Sequence, residues 1–159
     1  MVNYILLQNT LALRSTVLRN GQPPETCILP TDREVGCFHL GYFVDEQLVS
    51  IATFFPEDHP DYGPGGYRLR GMASDSSFSG KGYGASVIKF AIDELTSVNA
   101  SYIWCNTRST AVGFYTRLGF SLISDVFEVP GIGPHYNMLR KINGGTPGVT
   151  FDHKFPDQG

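Results

Sequence analysis

The sequence predicts an α/β or α+β domain, a mixed sheet with helices on its faces. Three observations carry that expectation. Two strand-like runs, residues 36–44 and 47–55, are separated only by Asp45 and Glu46, the mark of a tight hairpin. A strand-like run at 67–74 is followed by a glycine-rich turn and then by an amphipathic helical pattern. Beyond that helix the patterns read strand, helix, strand and strand.

Each element has its own reason. Residues 2–7 read as a first strand. Asn9 or Thr10 caps a helix bearing Leu11, Val17 and Leu18, which ends near Gly21 and the Pro23-Pro24 stop. Residues 22–34 read as an irregular connection into the hairpin. Residues 56–66 hold three prolines and three glycines and form a loop. After the glycine turn, Val87, Ile88, Ala91, Ile92 and Leu95 lie on one stripe, the period of a helix packed on a sheet. Tyr102 to Cys105 reads as a buried strand. Ala111, Val112, Tyr115 and Leu118 mark a second helix, closed by Gly119 at the left-handed cap position. Strands near 120–128 and 135–142 complete a single domain over residues 1–142. From Asn143 the chain is rich in glycine, proline and polar residues, so 143–159 is expected to be a loosely ordered tail.

At 159 residues the chain has the length of one domain with a substantial core. A net charge of −3, with no cluster of lysine and arginine, gives no support to binding of nucleic acid or an anionic membrane. No apolar run approaches membrane-spanning length. Gln8, Asn9 and Thr10 interrupt any signal-peptide order, so a cytoplasmic location is expected. Cys27, Cys37 and Cys105 are odd in number and lack C-x-x-C spacing, which argues against a disulfide framework or a zinc site. The four histidines are scattered without an i, i+4 pair, and no metal is expected.

The stretch Phe78-Ser79-Gly80-Lys81-Gly82-Tyr83-Gly84-Ala85 is the most informative. Three alternate glycines opening onto a helix let backbone N–H groups converge on an anion, with the helix dipole favouring negative charge. The pyrophosphate of a nucleotide-like cofactor suits such a turn. A Walker A loop requires Gly-Lys-Ser/Thr, but Gly82 follows Gly80-Lys81. A dinucleotide fold places its glycine turn after the first strand, whereas four strands precede this one.

Arg68-Leu69-Arg70-Gly71-Met72-Ala73-Ser74 followed by Ser79-Gly80-Lys81-Gly82-Tyr83-Gly84 resembles the central strand and Gln/Arg-x-x-Gly-x-Gly/Ala loop of the GNAT superfamily of acetyl-CoA-dependent N-acetyltransferases. Asn106-Thr107-Arg108, Ala111 and Phe114-Tyr115-Thr116-Arg117-Leu118-Gly119-Phe120 resemble the same family's N-x-x-A-x-x-F-Y-x-x-x-G-F segment. The resemblance covers residues 67–120. Ser79 departs from it, standing where the loop has Gln or Arg.

The resemblance implies a GNAT fold: a mixed, mostly antiparallel sheet of about six or seven strands, helices on both faces, and a splay between the strands at 67–74 and 102–106. It implies acetyl-CoA as co-substrate and a primary amine, on a small molecule or a peptide, as acceptor. Met72, Ala73 and Ser74 would meet the pantetheine arm. Ser79, Gly80, Lys81, Gly82, Tyr83, Gly84 and Ala85 would hold the pyrophosphate, and Asn106 would hydrogen-bond the arm near its sulfur. Lys81 reads equally as a solvated loop lysine, and Arg70 as an acceptor-side residue or a surface pair. Homodimerisation, common in the superfamily, leaves no mark in the sequence.

Acyl transfer to an amine requires removing a proton from the amine and stabilising the departing thiolate. Tyr115 fits the second of these roles, since a phenol of pKa ~10 is protonated at neutral pH and can serve a thiolate of ~8.5. The competing reading is an aromatic anchor like Phe114 and Phe120. Preparing a lysine-like amine of pKa ~10.4 at neutral pH costs ~4.6 kcal/mol, an α-amine of ~7.8 only ~1 kcal/mol. His135, in Gly131-Ile132-Gly133-Pro134-His135-Tyr136-Asn137-Met138, is the first candidate base; a histidine bonded to a loop carbonyl is the alternative. Glu128 and His39 are weaker candidates. Cys105, in an apolar run, reads as a buried bystander, so transfer is expected to be direct. A GNAT-fold sensor that binds acyl-CoA without turnover is the alternative from a different class.

Overall fold

The computed structural model describes residues 1–142, so the expected tail at 143–159 lies outside the described residues. The chain contains β1 (Val2–Ile5), α1 (Leu7–Leu13), β2 (Phe38–Val44), β3 (Gln47–Pro56), β4 (Gly66–Ser74), α2 (Tyr83–Ser97), β5 (Tyr102–Arg108), α3 (Val112–Arg117), β6 (Ser121–Leu122), β7 (Phe127–Val129) and β8 (Gly133–Lys141). Residues 1–56 with 69–93 form one compact unit, and residues 57–68 with those from 94 onward form another.

In the first unit the strand order is β1-β2-β3-β4. The β2–β3 hairpin closes at Val44↔Gln47, with Asp45 at φ +47° and Glu46 at φ +68°. Two successive positive φ values make the turn whose twist matches that of paired strands. On one sheet face Phe38 stacks on Phe54 and meets Tyr4 edge-on, and Tyr4 also meets Phe90 of α2 edge-on. Their neighbours His39 and Thr53 point to the other face, where the Arg14 side chain reaches Thr53. Helical segments thus cover both faces of this unit. The first helix does not run on to Gly21 in α-helical form: α1 passes into a π-helical turn, Arg14–Leu18, and a 3₁₀ turn, Pro24–Cys27, occupies part of the stretch expected to be irregular.

In the second unit the start of β4 pairs in parallel with β5, from Gly66↔Tyr102 to Arg68↔Trp104, where the ladder stops, although β4 continues to Ser74 and β5 to Arg108. On its other edge β5 pairs antiparallel with β8 along its full length. The run expected as one strand near 120–128 is instead two short strands, β6 and β7, both on β8. The break falls at Ser124, whose side-chain oxygen, rather than a backbone carbonyl, accepts the Asn137 N–H at 2.8 Å. Among the described residues the sheet therefore has eight strands, mixed in sense and mostly antiparallel. Tyr62, Tyr102, Trp104 and Leu139 form a buried cluster in this unit, with Ile123 against it. Burial pushes the Tyr102 hydroxyl up to about 12; it donates to the Gly63 carbonyl and accepts the His59 N–H, both at 2.8 Å.

Candidate active site

In the first unit, β4 carries a break in its extended backbone at Gly71, φ +64°. A residue of that hand kinks a strand, and only glycine adopts it without strain. A Cβ there would also lie 3.0 Å from Nε of Arg14. Met72 and Ser74 are half-buried after the kink, and Ala73 between them is buried. A cavity of about 540 Å³, lined by Leu13, Thr16, Val17, Leu48, Ser74 and Ser76 among others, opens beside Ser74.

The chain leaves β4 through a built turn. Asp75 N–H bonds the Val49 carbonyl at 2.8 Å, and the Asp75 carboxylate accepts the Ser77 N–H at 2.9 Å. Gly80 (φ +78°) and Gly82 (φ +83°) flank Lys81, and residues 79–82 are exposed. No atom of the described residues lies within 4 Å of where a Cβ would sit at either glycine, so it is backbone hand, not crowding, that requires glycine there. Alternating backbone hand of this kind gathers successive N–H groups into an anion-binding concavity. It opens onto α2, whose first-turn N–H groups have no intrahelical partner. Tyr83, the first residue of α2, stacks on Tyr42 of β2 at 4.4 Å and pins the end of the turn. Ser79 folds inward, its hydroxyl donating to the Ser76 carbonyl at 3.0 Å. Arg70 is half-buried on β4.

His39, a weaker candidate base, belongs to a closed cluster in the same unit. The Arg14 guanidinium grips the Asp32 carboxylate through two bonds of 2.7 and 2.9 Å and donates to Thr53 Oγ1 at 2.7 Å. Thr53 Oγ1 lies 2.8 Å from His39 Nδ1. Arg14, Asp32 and His39 are buried. Burial lowers the His39 pKa, with Asp32 opposing and Arg14 adding to the shift. Burial pushes the nearby Cys37 thiol up to about 11, reinforced by Asp32. Asp32, Cys37 and His39 place ligand atoms within 4.8 Å of one another, yet both Asp32 oxygens already face the Arg14 cation.

In the second unit, Tyr115 is a buried residue of α3, set edge-on between Phe114 (5.1 Å) and Phe120 (5.3 Å). Burial, and secondarily Cys105, raises its hydroxyl well above 10. The Cys105 thiol is itself pushed up to about 12 by burial and lies 3.1 Å from Thr107 Oγ1. His135 is buried on β8, its ring beside Phe127, with Nδ1 2.9 Å from the Gly133 carbonyl. A carbonyl only accepts, so Nδ1 carries the proton and Nε2 the lone pair. Glu128 is exposed on β7. Asn106 is exposed on β5 and its Oδ1 accepts the Nδ2 of Asn137, its partner across the ladder, at 2.6 Å. Asn137 Oδ1 in turn lies 3.2 Å from Nε2 of buried His59. Sequence reasoning had His59 in a loop, Phe54 to His59, that either frames an acceptor pocket or is a solvated hairpin connection, and Asn137 only as a neighbour of His135.

No helix among the described residues is long and apolar enough to cross a membrane. Residues 10–120 match the acetyltransferase (GNAT) family. The chain is 36% identical over 142 residues to the uncharacterized N-acetyltransferase YitI of Bacillus subtilis, covering 89% of this chain and 95% of that protein. Its fold is similar to that of Escherichia coli ElaA (TM-score 0.69, 19% identity, 88% of this chain and 99% of that one). It is also similar to an aminoglycoside 6'-N-acetyltransferase complexed with coenzyme A (TM-score 0.65, 16% identity, 89% and 97%). With the family matched across both its glycine turn and its Asn106-to-Phe120 segment, the chain belongs to the GNAT acetyltransferase family and is an acyltransferase.

Proposed function

We propose that this protein moves an acetyl group from acetyl-CoA to a primary amine, on a small molecule or a peptide, by direct attack of the amine. The observation that carries the reading is the exposed turn in which left-handed Gly80 and Gly82 lead into the first turn of a 15-residue helix. That cradle fits a diphosphate: it is open, rich in backbone donors and at the positive end of a helix dipole.

Acetyl-CoA supplies the activated acyl thioester and a leaving thiolate. The amides of residues 80–85 hold its diphosphate beside Ser79, whose own N–H bonds the Ser76 carbonyl, with Lys81 adding charge. Met72, Ala73 and Ser74 offer backbone groups to the pantetheine arm, and Asn106 donates to it. Tyr115 keeps its proton at any neutral pH, because its hydroxyl is raised well above 10. Against an ordinary thiol, full transfer from such a phenol is uphill. Its first contribution is therefore a charge-assisted hydrogen bond to the departing sulfur, with the proton following as that sulfur is desolvated. His135 Nε2 accepts the amine proton. A thiol pushed up to about 12 stays protonated, which disfavours an acyl-enzyme on Cys105. Free Cys27, Cys37 and Cys105 suit a reducing compartment, and we assign the protein to the cytoplasm.

The test is acetyl-CoA turnover across peptides, polyamines, amino sugars and amino acids. Tyr115→Phe is expected to lower kcat by about 10²-fold at every pH while acetyl-CoA affinity stays within about twofold. Unchanged kcat throughout would remove the acid role. Affinity for acetyl-CoA without transfer to any amine would instead favour a sensor.

A further inference from the structure

We propose that His59 is a positioning residue for acetyl-CoA: through Asn137 it fixes which end of the Asn106 amide faces the pantetheine arm. This rests on the reading above that Asn106 meets that arm. Each link has a definite polarity. The Asp61 backbone N–H lies 3.1 Å from His59 Nδ1, and a backbone N–H can only donate. Nδ1 is therefore the acceptor, and the proton of the neutral ring sits on Nε2. Nε2–H donates to Asn137 Oδ1 at 3.2 Å. With its oxygen so held, Asn137 turns Nδ2 toward Asn106 and donates to Asn106 Oδ1 at 2.6 Å. The Asn106 oxygen is thereby turned toward Asn137, and its NH₂ is the end left facing away from that bond, toward a ligand. An amino group recognises the amide carbonyls of pantetheine and would reject their N–H groups.

Two members of the relay, His59 and Asn137, are anchored. His59 N–H bonds the Tyr102 hydroxyl at 2.8 Å, and its ring is wedged edge-on against Trp104 (4.9 Å) and Tyr62 (5.1 Å). The Asn137 backbone is clasped on both sides, its N–H by Ser124 Oγ at 2.8 Å and its carbonyl by Ile123 N–H at 3.0 Å. An amide free to flip would present either end to the arm; this one is held in one sense by a ring that cannot turn.

The experiment measures binding of acetyl-CoA and of adenosine 3′,5′-bisphosphate, which keeps the nucleotide half and lacks the arm. His59→Asn retains an acceptor for Asp61 but has no atom in reach of Asn137. It is expected to weaken acetyl-CoA about tenfold and the bisphosphate less than twofold. Asn106→Ala should show the same split, and the double variant should be no worse than Asn106→Ala alone. His59→Gln, whose Nε2 falls near that of histidine, should recover part of the loss. Equal weakening of both ligands by His59→Asn marks a merely structural residue and overturns the proposal. Loss on Asn106→Ala without loss on His59→Asn overturns the relay alone, whereas no loss on Asn106→Ala overturns the Asn106 reading beneath it. Should His59→Asn fail to fold, ¹⁵N NMR of the native imidazole decides: a proton on Nε2 is expected, and a proton on Nδ1 breaks the relay.

Discussion

The glycine turn at 79–82 and the cluster around Arg14 belong to the same unit and are opposites. The cluster gathers the residue types from which active sites are built: an arginine, a carboxylate, a histidine, a threonine and a thiol. Apart from the half-buried thiol they lie out of water and mostly face one another: Arg14 faces Asp32 and Thr53, and Thr53 faces His39, while Arg14 Nε alone of the guanidinium nitrogens is buried without a partner among the described residues. The turn carries almost no side-chain chemistry and is exposed, but its backbone donors are presented to solvent. With the site proposed at the turn, reactive residue types are poor guides to it in this fold. On the proposed reading, unsatisfied main-chain groups in a left-handed conformation that calls for glycine are better ones.

The largest effect that would break this contrast is on stability. Asp32→Ala leaves the Arg14 cation buried and unpaired, which costs roughly 3–5 kcal/mol of unfolding free energy in urea titrations. The affinity of the remaining folded protein for acetyl-CoA should change little. A loss below about 1 kcal/mol would mean that the cluster is not what holds α1 and its π-helical turn to the sheet.

Gly82→Val is the reciprocal change. A β-branched residue at φ +83° is strained by about 1–2 kcal/mol and pulls the turn out of its alternating hand. Acetyl-CoA affinity, read by calorimetry, should fall by at least about tenfold, with a smaller change in unfolding free energy than for Asp32→Ala. Affinity within about twofold of the parent would move the diphosphate away from this turn.

That division explains what was legible in the sequence. The hairpin could be read because Asp45 and Glu46 alone separate two apolar runs, and local spacing sets local geometry. The glycine turn was legible for the same reason: three glycines within five residues, between a strand and an amphipathic stripe. Tyr115 and Asn106 are proposed from a motif contained in one short segment. The Arg14 cluster was not legible, since Arg14 meets Asp32 and Thr53 at separations of 18 and 39 residues. His59 and Asn137 are 78 residues apart, and no periodicity links them. The split of the 120–128 run depends on a side chain, Ser124, taking the bond a strand would have supplied. Local patterns carry backbone conformation; the polar partners of buried groups are chosen by the tertiary fold.

The cluster also has a pH signature that the turn lacks. His39 is lowered from 6.5, so between 6.5 and its folded value the unfolded chain binds more protons. Its contribution is present above 6.5 and is lost as pH falls through the folded value. Asp32 is lowered from 3.8, with burial opposing and the Arg14 and Leu29 hydrogen bonds driving the shift; its contribution is present above 3.8 and fades below it. Stability should therefore decline in two stages on acidification, and His39→Gln should flatten the upper stage while leaving the lower. A parent protein whose unfolding free energy does not change from pH 7 to 5 would contradict the His39 part.

The smallest effect concerns the turn itself. Ser79 stands where the family loop has Gln or Arg, and its hydroxyl turns back onto the Ser76 carbonyl instead of outward. If main-chain amides do most of the holding, Ser79→Ala should be nearly silent. Ser79→Arg should tighten acetyl-CoA binding about three- to tenfold at low ionic strength, because a guanidinium matches the oxygens of a diphosphate. The gain should shrink at high salt, as expected for an exposed cation that adds to a grip the backbone already provides. A gain that persisted undiminished in high salt would mean that the new side chain was buried against its ligand. The turn would then close over the diphosphate rather than cradle it from below.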